Sequence, residues 1–268
     1  MQRALCTVLL PLFDLAHKEG DTVGAMSYGR RAIETEAVPA GRAAELHNFL
    51  GQAALATGST FDAIHHFESA LRSEPGQLEP TRALVALLYP AGEFARIDLL
   101  ITQALSAADG GEISLQDGER AGLLRQQAEA REALGQTREA YNALWAAEQL
   151  QPGDLAQQLW LGDSAFALGE HEVAARALGS LAGYAGDPSS LPEPLTAQTL
   201  AGALDHAAQS FLALADAVQA RQLWQAALSV VPEHAGAADH YLDLLLTSSD
   251  TDDAGTAMEL LTVRAERA

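Results

Sequence analysis

The stretch from Leu46 to Pro75, LHNFLGQAALATGSTFDAIHHFESALRSEP, constrains the fold most because it has the pattern of two short amphipathic helices. Apolar residues at helical spacing precede Gly58 and Ser59, which interrupt the first helix. After this break the apolar spacing resumes until Pro75, and its residues are Phe61, Ile64, Phe67, Ala70 and Leu71. Two helices of about twelve residues with so short a connection must pack antiparallel.

The same pattern recurs along the chain, as it must if a hairpin of this size is to bury its apolar face. The intervals Ala63 to Ile97, Ala140 to Ala174 and Ala220 to Ala254 are each 34 residues, and the remaining intervals are 38, 43 and 46. The residues expected to pack each second helix are Ala25, Ala63, Ile97, Ala140, Ala174, Ala220 and Ala254. The sequence therefore predicts an all-α fold of about seven antiparallel helix pairs.

This pattern resembles the tetratricopeptide repeat (TPR), a unit of 34 residues with small, aromatic and proline residues in this order. The resemblance covers nearly the whole chain. It is carried by Leu50, Gly51, Ala54, Ala63, Phe67, Ala70 and Pro75, by Gly135, Ala140, Leu144, Ala147 and Pro152, by Leu161, Gly162, Ala165, Gly169, Ala174 and Leu178, and by Ala220, Trp224, Ala227 and Pro232. It implies a right-handed α-solenoid, a TPR-like superhelix, that binds protein.

Two segments rich in glycine or proline suggest how the repeats are grouped. The break at residues 107–111 precedes a helix that Ser114 is expected to cap. The second segment, GYAGDPSSLPEP, cannot form a regular α-helix. We therefore predict five helix pairs in residues 1–181, a linker loop in residues 182–195 and two pairs in residues 196–268, with Thr196 as a helix cap. The loop is interpreted either as a hinge or as a rigid elbow.

The net charge of −20 limits the kind of partner. Nucleic acid is excluded as an expected partner because binding phosphate requires a basic surface. Residues 1–134 carry 11 basic and 18 acidic side chains, whereas residues 135–268 carry 5 and 18. Long-range attraction is therefore expected to favour a basic ligand at the C-terminal half.

The first residues, MQRALCTVLLPLF, could be a secretory signal or a first repeat helix. The helix is favoured because Asp14 closes a short apolar run and no cleavage site precedes His17. Pro11 is expected to interrupt this helix. No stretch approaches the roughly 18 to 20 apolar residues of a membrane span. The single Cys6 suits a reducing compartment, and the preference for arginine over lysine indicates a bacterial, cytoplasmic protein.

No pattern in the sequence indicates catalysis, so we expect a protein that is not an enzyme and has no cofactor. His65 and His66 are adjacent, point about 100° apart on a helix and cannot chelate one metal together. His234 and His240 have no zinc-site spacing and are expected to contact helix ends. There is no phosphate-binding glycine loop, HExxH motif or Gly-x-Ser-x-Gly motif.

The TPR resemblance implies that the first helices of the pairs line a concave groove that holds a peptide. Arg82 and Arg125 would anchor a carboxylate, and Tyr89 and Phe166 would supply apolar contacts. The full predicted set is Asn48, Gln52, Arg82, Tyr89, Arg125, Glu129, Glu132, Asp163, Phe166, Asp205, Gln209, Asp239 and Asp243. These residues form either an acidic groove for a basic segment or the ordinary solvated faces of an acidic protein.

The expected function is therefore that of a protein–protein interaction scaffold or adaptor. A receptor for acidic chaperone tails is disfavoured because the lysines of that clamp are missing. Two alternatives remain open at this point. The chain could be a regulatory or substrate-recruiting region of an enzyme complex, or it could associate with itself as a homo-oligomer.

Overall fold

The computed structural model describes residues 2–248 and 251–267, and their side chains in residues 2–248 and 253–262. Over this range the chain forms fourteen α-helices and no β-strand. The helices are α1 (Gln2–Glu19), α2 (Thr22–Ile33), α3 (Ala40–Ala56), α4 (Thr60–Ser73), α5 (Leu78–Leu88), α6 (Phe94–Asp109), α7 (Asp117–Ala133), α8 (Thr137–Leu150), α9 (Leu155–Ala167), α10 (His171–Gly179), α11 (Ala197–Ala213), α12 (Ala217–Val230), α13 (Ala235–Thr247) and α14 (Thr251–Arg267).

Short turns join consecutive helices, as from α3 to α4 and from α9 to α10, and these paired helices contact each other, which confirms the predicted all-α fold. Most of these turns contain a glycine with positive φ, as at Gly58 and Gly169. The chain divides into two compact units, 1–143 and 144–268, with the border inside α8. The grouping into 1–181 and 196–268 has a different border and stays a prediction. None of the described helices is both long and apolar enough to cross a lipid bilayer.

In unit 1, the two helices of the repeat at Leu46 to Pro75, α3 and α4, pack closely because of one glycine. Gly51 of α3 and Phe67 of α4 are both buried, and the edge of the Phe67 ring occupies the space beside Gly51. A Cβ atom added to Gly51 would lie only 2.7 Å from Phe67 Cε1. The glycine therefore allows the close approach of α3 and α4. Ala63 and Ala70 complete the buried face of α4.

Unit 2 has a core centred on α11 and α12, with Trp224 and Tyr241 among its largest fully buried side chains. Residues 180–190 form two short 3-10 helices, Ser180–Gly186 and Pro188–Ser190, so the predicted absence of regular α-helix holds there. Leu181 and Leu195 are buried at either end of the segment and pack on the same core. Thr196 caps α11 by accepting a hydrogen bond from the Thr199 N–H, as predicted.

Two expected helix boundaries were wrong. Helix α1 continues through Pro11, which is exposed, because buried residues on both sides of it, including Leu9 and Phe13, pack against the same cluster. Helix α7 is capped by Gln116 and not by Ser114. The side chains of Gln116 and Glu119 each bond the other's backbone N–H, and this capping box fixes the helix start at Asp117.

Three large apolar residues, among them Phe61 of the predicted apolar stripe, are exposed. Phe61 is 82% exposed because it lies about 200° around α4 from Ala63. Met258 is 64% exposed and Leu261 42% exposed, whereas Ala257 is buried. Met258 lies about 100° around α14 from Ala257, which explains why it leaves the buried face.

Candidate functional site

The first helices of unit 2, α9, α11 and α13, contact one another in series. None of them contains lysine or arginine, and together they carry Asp163, Asp205, Asp239 and Asp243. The three exposed aspartates of these helices, Asp163, Asp239 and Asp243, are together called the acidic face below. Asp239 and Asp243 are one turn apart on α13, so their charges repel each other. A cation bound between them would relieve that repulsion.

An aromatic stack lies beside Asp163 on this face. The rings of Phe166 on α9 and His206 on α11 are nearly parallel, with centroids 4.2 Å apart and planes 12° apart. His206 Nδ1 lies 2.9 Å from Asp163 Oδ1. Because a carboxylate can only accept, His206 donates from Nδ1 and directs Nε2 away from Asp163. The second carboxylate oxygen of Asp163 keeps the capacity to accept from a ligand.

A second pair of aspartate and histidine links α11 to α13. His240 Nδ1 lies 2.9 Å from Asp205 Oδ1, and Trp224 Nε1 donates to the same oxygen over 2.7 Å. Asp205 Oδ2 lies beside Gly236, where an added Cβ would approach it to 2.7 Å. Gly236 belongs to the first turn of α13, whose helix dipole favours a negative charge.

This arrangement corrects the interpretation of Asp205 as a partner-binding residue. Its residue surface is only 5% exposed, and its carboxylate already accepts from Trp224 and His240. Burial of an aspartate requires such donors. Asp205 therefore joins two helices of the core and is not available to a partner in this conformation.

In unit 1 the first helices carry charges of both signs that pair with one another. Arg82 on α5 lies 3.4 Å from Glu119 on α7, and both side chains are part-exposed. Tyr89, directly after α5, hydrogen-bonds Glu129 on α7, while partial desolvation raises the pKa of Glu129 against the lowering effect of that bond. Arg125 also has an interaction partner. The proposed anchoring of a carboxylate by Arg82 and Arg125 would therefore compete with existing contacts.

The other predicted groove residues differ in exposure. Gln52, Arg82, Tyr89, Glu129, Glu132, Asp163, Asp239 and Asp243 are exposed. Asn48, Arg125, Phe166 and Gln209 are half-buried. Their role in binding stays a prediction.

Nothing in the sequence indicated the role of His206, and the expectation that His240 contacts a helix end was wrong, because His240 bonds Asp205 inside α11. Each bonds an aspartate on the preceding first helix, 43 and 35 residues earlier in the chain. The interval from Asp163 to His206 is longer because it contains the 3-10 helices of residues 180–190. A search for helix neighbours three or four residues apart could not find the pairs. His234 caps α13 by accepting from the Ala237 N–H, in agreement with the expected helix-end contact.

Unit 1 also has an open groove between second helices, which the sequence did not indicate. It lies between α4 and α6 and has a volume of about 840 Å³. Leu71, Pro75 and Leu100 supply apolar surface, while Arg72 and Glu112 supply opposite charges. Its mixed lining selects no single class of ligand.

A pair of histidines in unit 1 was likewise missed. His47 on α3 and His66 on α4 bring their Nδ1 atoms to 3.1 Å from each other. Burial, with the charges of His66, His65 and Arg72, lowers the pKa of His47 to about 4. Burial and the neighbouring His65 and Arg30 also lower the pKa of His66. No group of three or more metal-ligating side chains occurs among the residues with described side chains.

The fold defines this chain as an all-α helical-repeat protein. No protein-family profile and no curated protein sequence matches it. Among solved structures it is similar to YrrB, described as a TPR protein with an unusual peptide-binding site, at 15% identity over 79% of this chain and 96% of that chain, with a TM-score of 0.49. A TPR protein from Parabacteroides merdae is 13% identical over 96% of this chain and 98% of that chain, with a TM-score of 0.46. MamA from Desulfovibrio magneticus is 15% identical over 69% of this chain and 98% of that chain, with a TM-score of 0.43.

Proposed function

We propose that this protein is a non-catalytic interaction module, and that the acidic face of unit 2 holds a basic, extended segment of a partner protein. The observation that carries the proposal is the charge of α9, α11 and α13, which expose three carboxylates and contain no lysine or arginine. The arginines of the neighbouring second helices, Arg176 and Arg221, are engaged elsewhere.

The chemistry of the acidic face favours arginine and lysine over other side chains. Asp163 offers a carboxylate oxygen beside the stacked rings of Phe166 and His206, so a guanidinium group could both pair and stack there. Asp243 provides a second negative position on α13, and Asp239, which also has an interaction partner, adds its charge one turn before it. An acidic peptide or nucleic acid would meet repulsion at both positions.

The proposal is tested by fluorescence anisotropy with a labelled peptide of alternating arginine and serine. A peptide with glutamate in place of arginine is the ligand control. We expect the basic peptide alone to bind, and its affinity to fall as the salt concentration rises to about 0.3 M. Equal binding of both peptides would contradict the proposal.

A pair of charge-reversal variants distinguishes the contribution of the acidic face to peptide binding from the contribution of the net charge. Asp239→Lys with Asp243→Lys should weaken binding of the basic peptide several-fold at low salt. Glu172→Lys with Glu193→Lys makes the same change in net charge on exposed residues outside α9, α11 and α13. If both double variants weaken binding equally, attraction is a property of the whole molecule and the acidic face is not the site.

The two other functions suggested by the sequence stay predictions. They are a regulatory or substrate-recruiting region of an enzyme complex and self-association as a homo-oligomer. Light scattering after size-exclusion chromatography tests the second, since a mass near 28.2 kDa at all concentrations would contradict it.

A further inference from the structure

His47 and His66 face each other across the hairpin of α3 and α4. Their Nδ1 atoms are 3.1 Å apart, their ring centroids 5.3 Å apart and their planes inclined at 40°. Both residues are half-buried, so solvent reaches them. His65 is the neighbour of His66 in the sequence, but the histidine that contacts the His66 ring is His47, 19 positions before His66.

The contact shows that the pair is not doubly protonated. Two N–H groups cannot point at each other across 3.1 Å, so at least one Nδ1 carries a lone pair and the other donates to it. The lowered pKa of both rings agrees with a neutral pair at pH 7. A neutral imidazole is the form that binds metal ions.

We propose that His47 and His66 form a two-histidine binding site for a divalent late transition metal ion, Cu²⁺, Ni²⁺ or Zn²⁺. Both Nδ1 atoms become ligands, and water fills the remaining coordination positions. The proton of the ring that donates in the metal-free protein moves through solvent to its own Nε2. A neutral pair therefore binds the ion without net loss of a proton.

The distance between the nitrogens suits these ions. If a metal ion lay about 2.0–2.1 Å from each nitrogen, the N–metal–N angle would be about 100°. This value lies between the right angle of square-planar sites and the tetrahedral angle of zinc sites. The rings now point almost head-on, so each must turn by about 40° to direct its lone pair at a shared ion. Rotation about the outer side-chain bond of histidine is soft, and the site is open enough to permit it.

The surroundings predict a site of moderate affinity. Arg30 acts on His66 and Arg72 acts on His47 with charges that oppose a cation. Asp62, one turn before His66 on α4, acts in the opposite sense. No third protein ligand lies close enough among the described side chains. Affinity should therefore follow the order set by imidazole ligands, with Cu²⁺ tightest and Mn²⁺ weakest.

Isothermal titration with Ni²⁺ and Zn²⁺ in a non-chelating buffer tests the proposal. His47→Gln and His66→Gln should each weaken binding tenfold or more, since even the loss of a group that merely orients a ligand costs about tenfold. His65→Gln, on the same helix and outside the pair, should bind like the parent. If either pair variant also binds like the parent, the proposal is wrong.

Two further measurements do not need a variant of His47 or His66. In the parent, one equivalent of Cu²⁺ should give an electron paramagnetic resonance spectrum with coupling to two nitrogens. Coupling to one nitrogen, or to backbone nitrogens only, would overturn the two-histidine site. Metal should also raise the melting temperature of the parent and of His65→Gln, and a chelator should reverse the rise, because the ion joins two helices of the native state.

Discussion

At the scale of single residues, two glycines inside helices have opposite effects on stability. Gly51 lies where a Cβ would meet the Phe67 ring at 2.7 Å, whereas a Cβ on Gly122 of α7 would meet nothing within 4 Å. We predict that Gly51→Ala destabilises by about 1–3 kcal/mol, because the ring is fixed in the core. Gly122→Ala should stabilise by about 0.5–1 kcal/mol through helix propensity.

Urea unfolding of the two alanine variants beside the parent checks both signs. The chemical change is the same in each case, so the difference reports the neighbouring helix alone. Stabilisation by Gly51→Ala would show that α3 and α4 are able to separate at this position. Loss of stability in Gly122→Ala would show that α7 has an additional neighbour there.

Asp205 provides a second test among single residues. Asp205→Ala removes the acceptor of the fully buried Trp224 Nε1, so we expect a loss of about 3 kcal/mol. Asp205→Asn keeps an acceptor oxygen and should lose less. Asp243→Ala, at an exposed position of α13, should stay within about 0.5 kcal/mol of the parent. Equal stability of Asp205→Ala and Asp243→Ala would remove the proposed structural role of Asp205.

At the scale of elements, an ion pair joins α12 to α14. Arg221 bonds both carboxylate oxygens of Asp253, one of them over 2.6 Å, and the Asp253 side chain is 3% exposed. The bond from Arg221, with a further bond from Ser248, lowers the pKa of Asp253 from 3.8 to about 2. The pair thus joins α12 to α14 one turn before the buried Ala257.

The lowered pKa of Asp253 makes the contribution of this ion pair depend on pH. Since the folded state binds the proton more weakly than the unfolded state, the pair stabilises fully above about pH 4 and loses its effect as the pH falls to about 2. The stability difference between the parent and Asp253→Asn should therefore be largest at neutral pH and shrink below pH 4. Denaturant unfolding at several pH values measures it, and a constant difference would contradict the prediction.

Helix pairing was predictable from the sequence because it depends on local spacing. The interval of 34 residues and the recurring small residues, such as Ala63 and Ala140, indicated where the second helices pack. Contacts between pairs were not predictable in the same way. His206 and His240 each meet an aspartate of the preceding pair, and nothing within either helix specifies that distance.

Exposed apolar residues show a related limit. Phe61 matches the hydrophobic spacing, yet it is 82% exposed because it lies on the far side of α4 from Ala63. Hydrophobic spacing by itself does not specify which of two adjacent faces the neighbouring helices will cover. The sequence placed candidate residues on the first helices, and their role in binding stays a prediction. The availability of each side chain required the structure, as Asp205 illustrates.

At the scale of the whole molecule, a net charge of −20 opposes folding through repulsion among like charges. Most of the ion pairs in the described residues are exposed and contribute little, so screening should remove more repulsion than attraction. We predict that the melting temperature rises between about 0.01 M and 0.3 M NaCl. A rise of about 2–4 °C corresponds to each 1 kcal/mol gained at this chain length.

The variant with Glu172→Lys and Glu193→Lys provides the control for this salt effect. It changes the net charge from −20 to −16 at two exposed positions. Its melting temperature at low salt should exceed that of the parent, and its rise with salt should be smaller. Repulsion grows faster than linearly with net charge, so the variant has less repulsion at low salt and also less repulsion for salt to screen. If salt instead lowers the melting temperature of both proteins, the prediction is wrong, and specific ion pairs such as Arg221 with Asp253 outweigh the general repulsion.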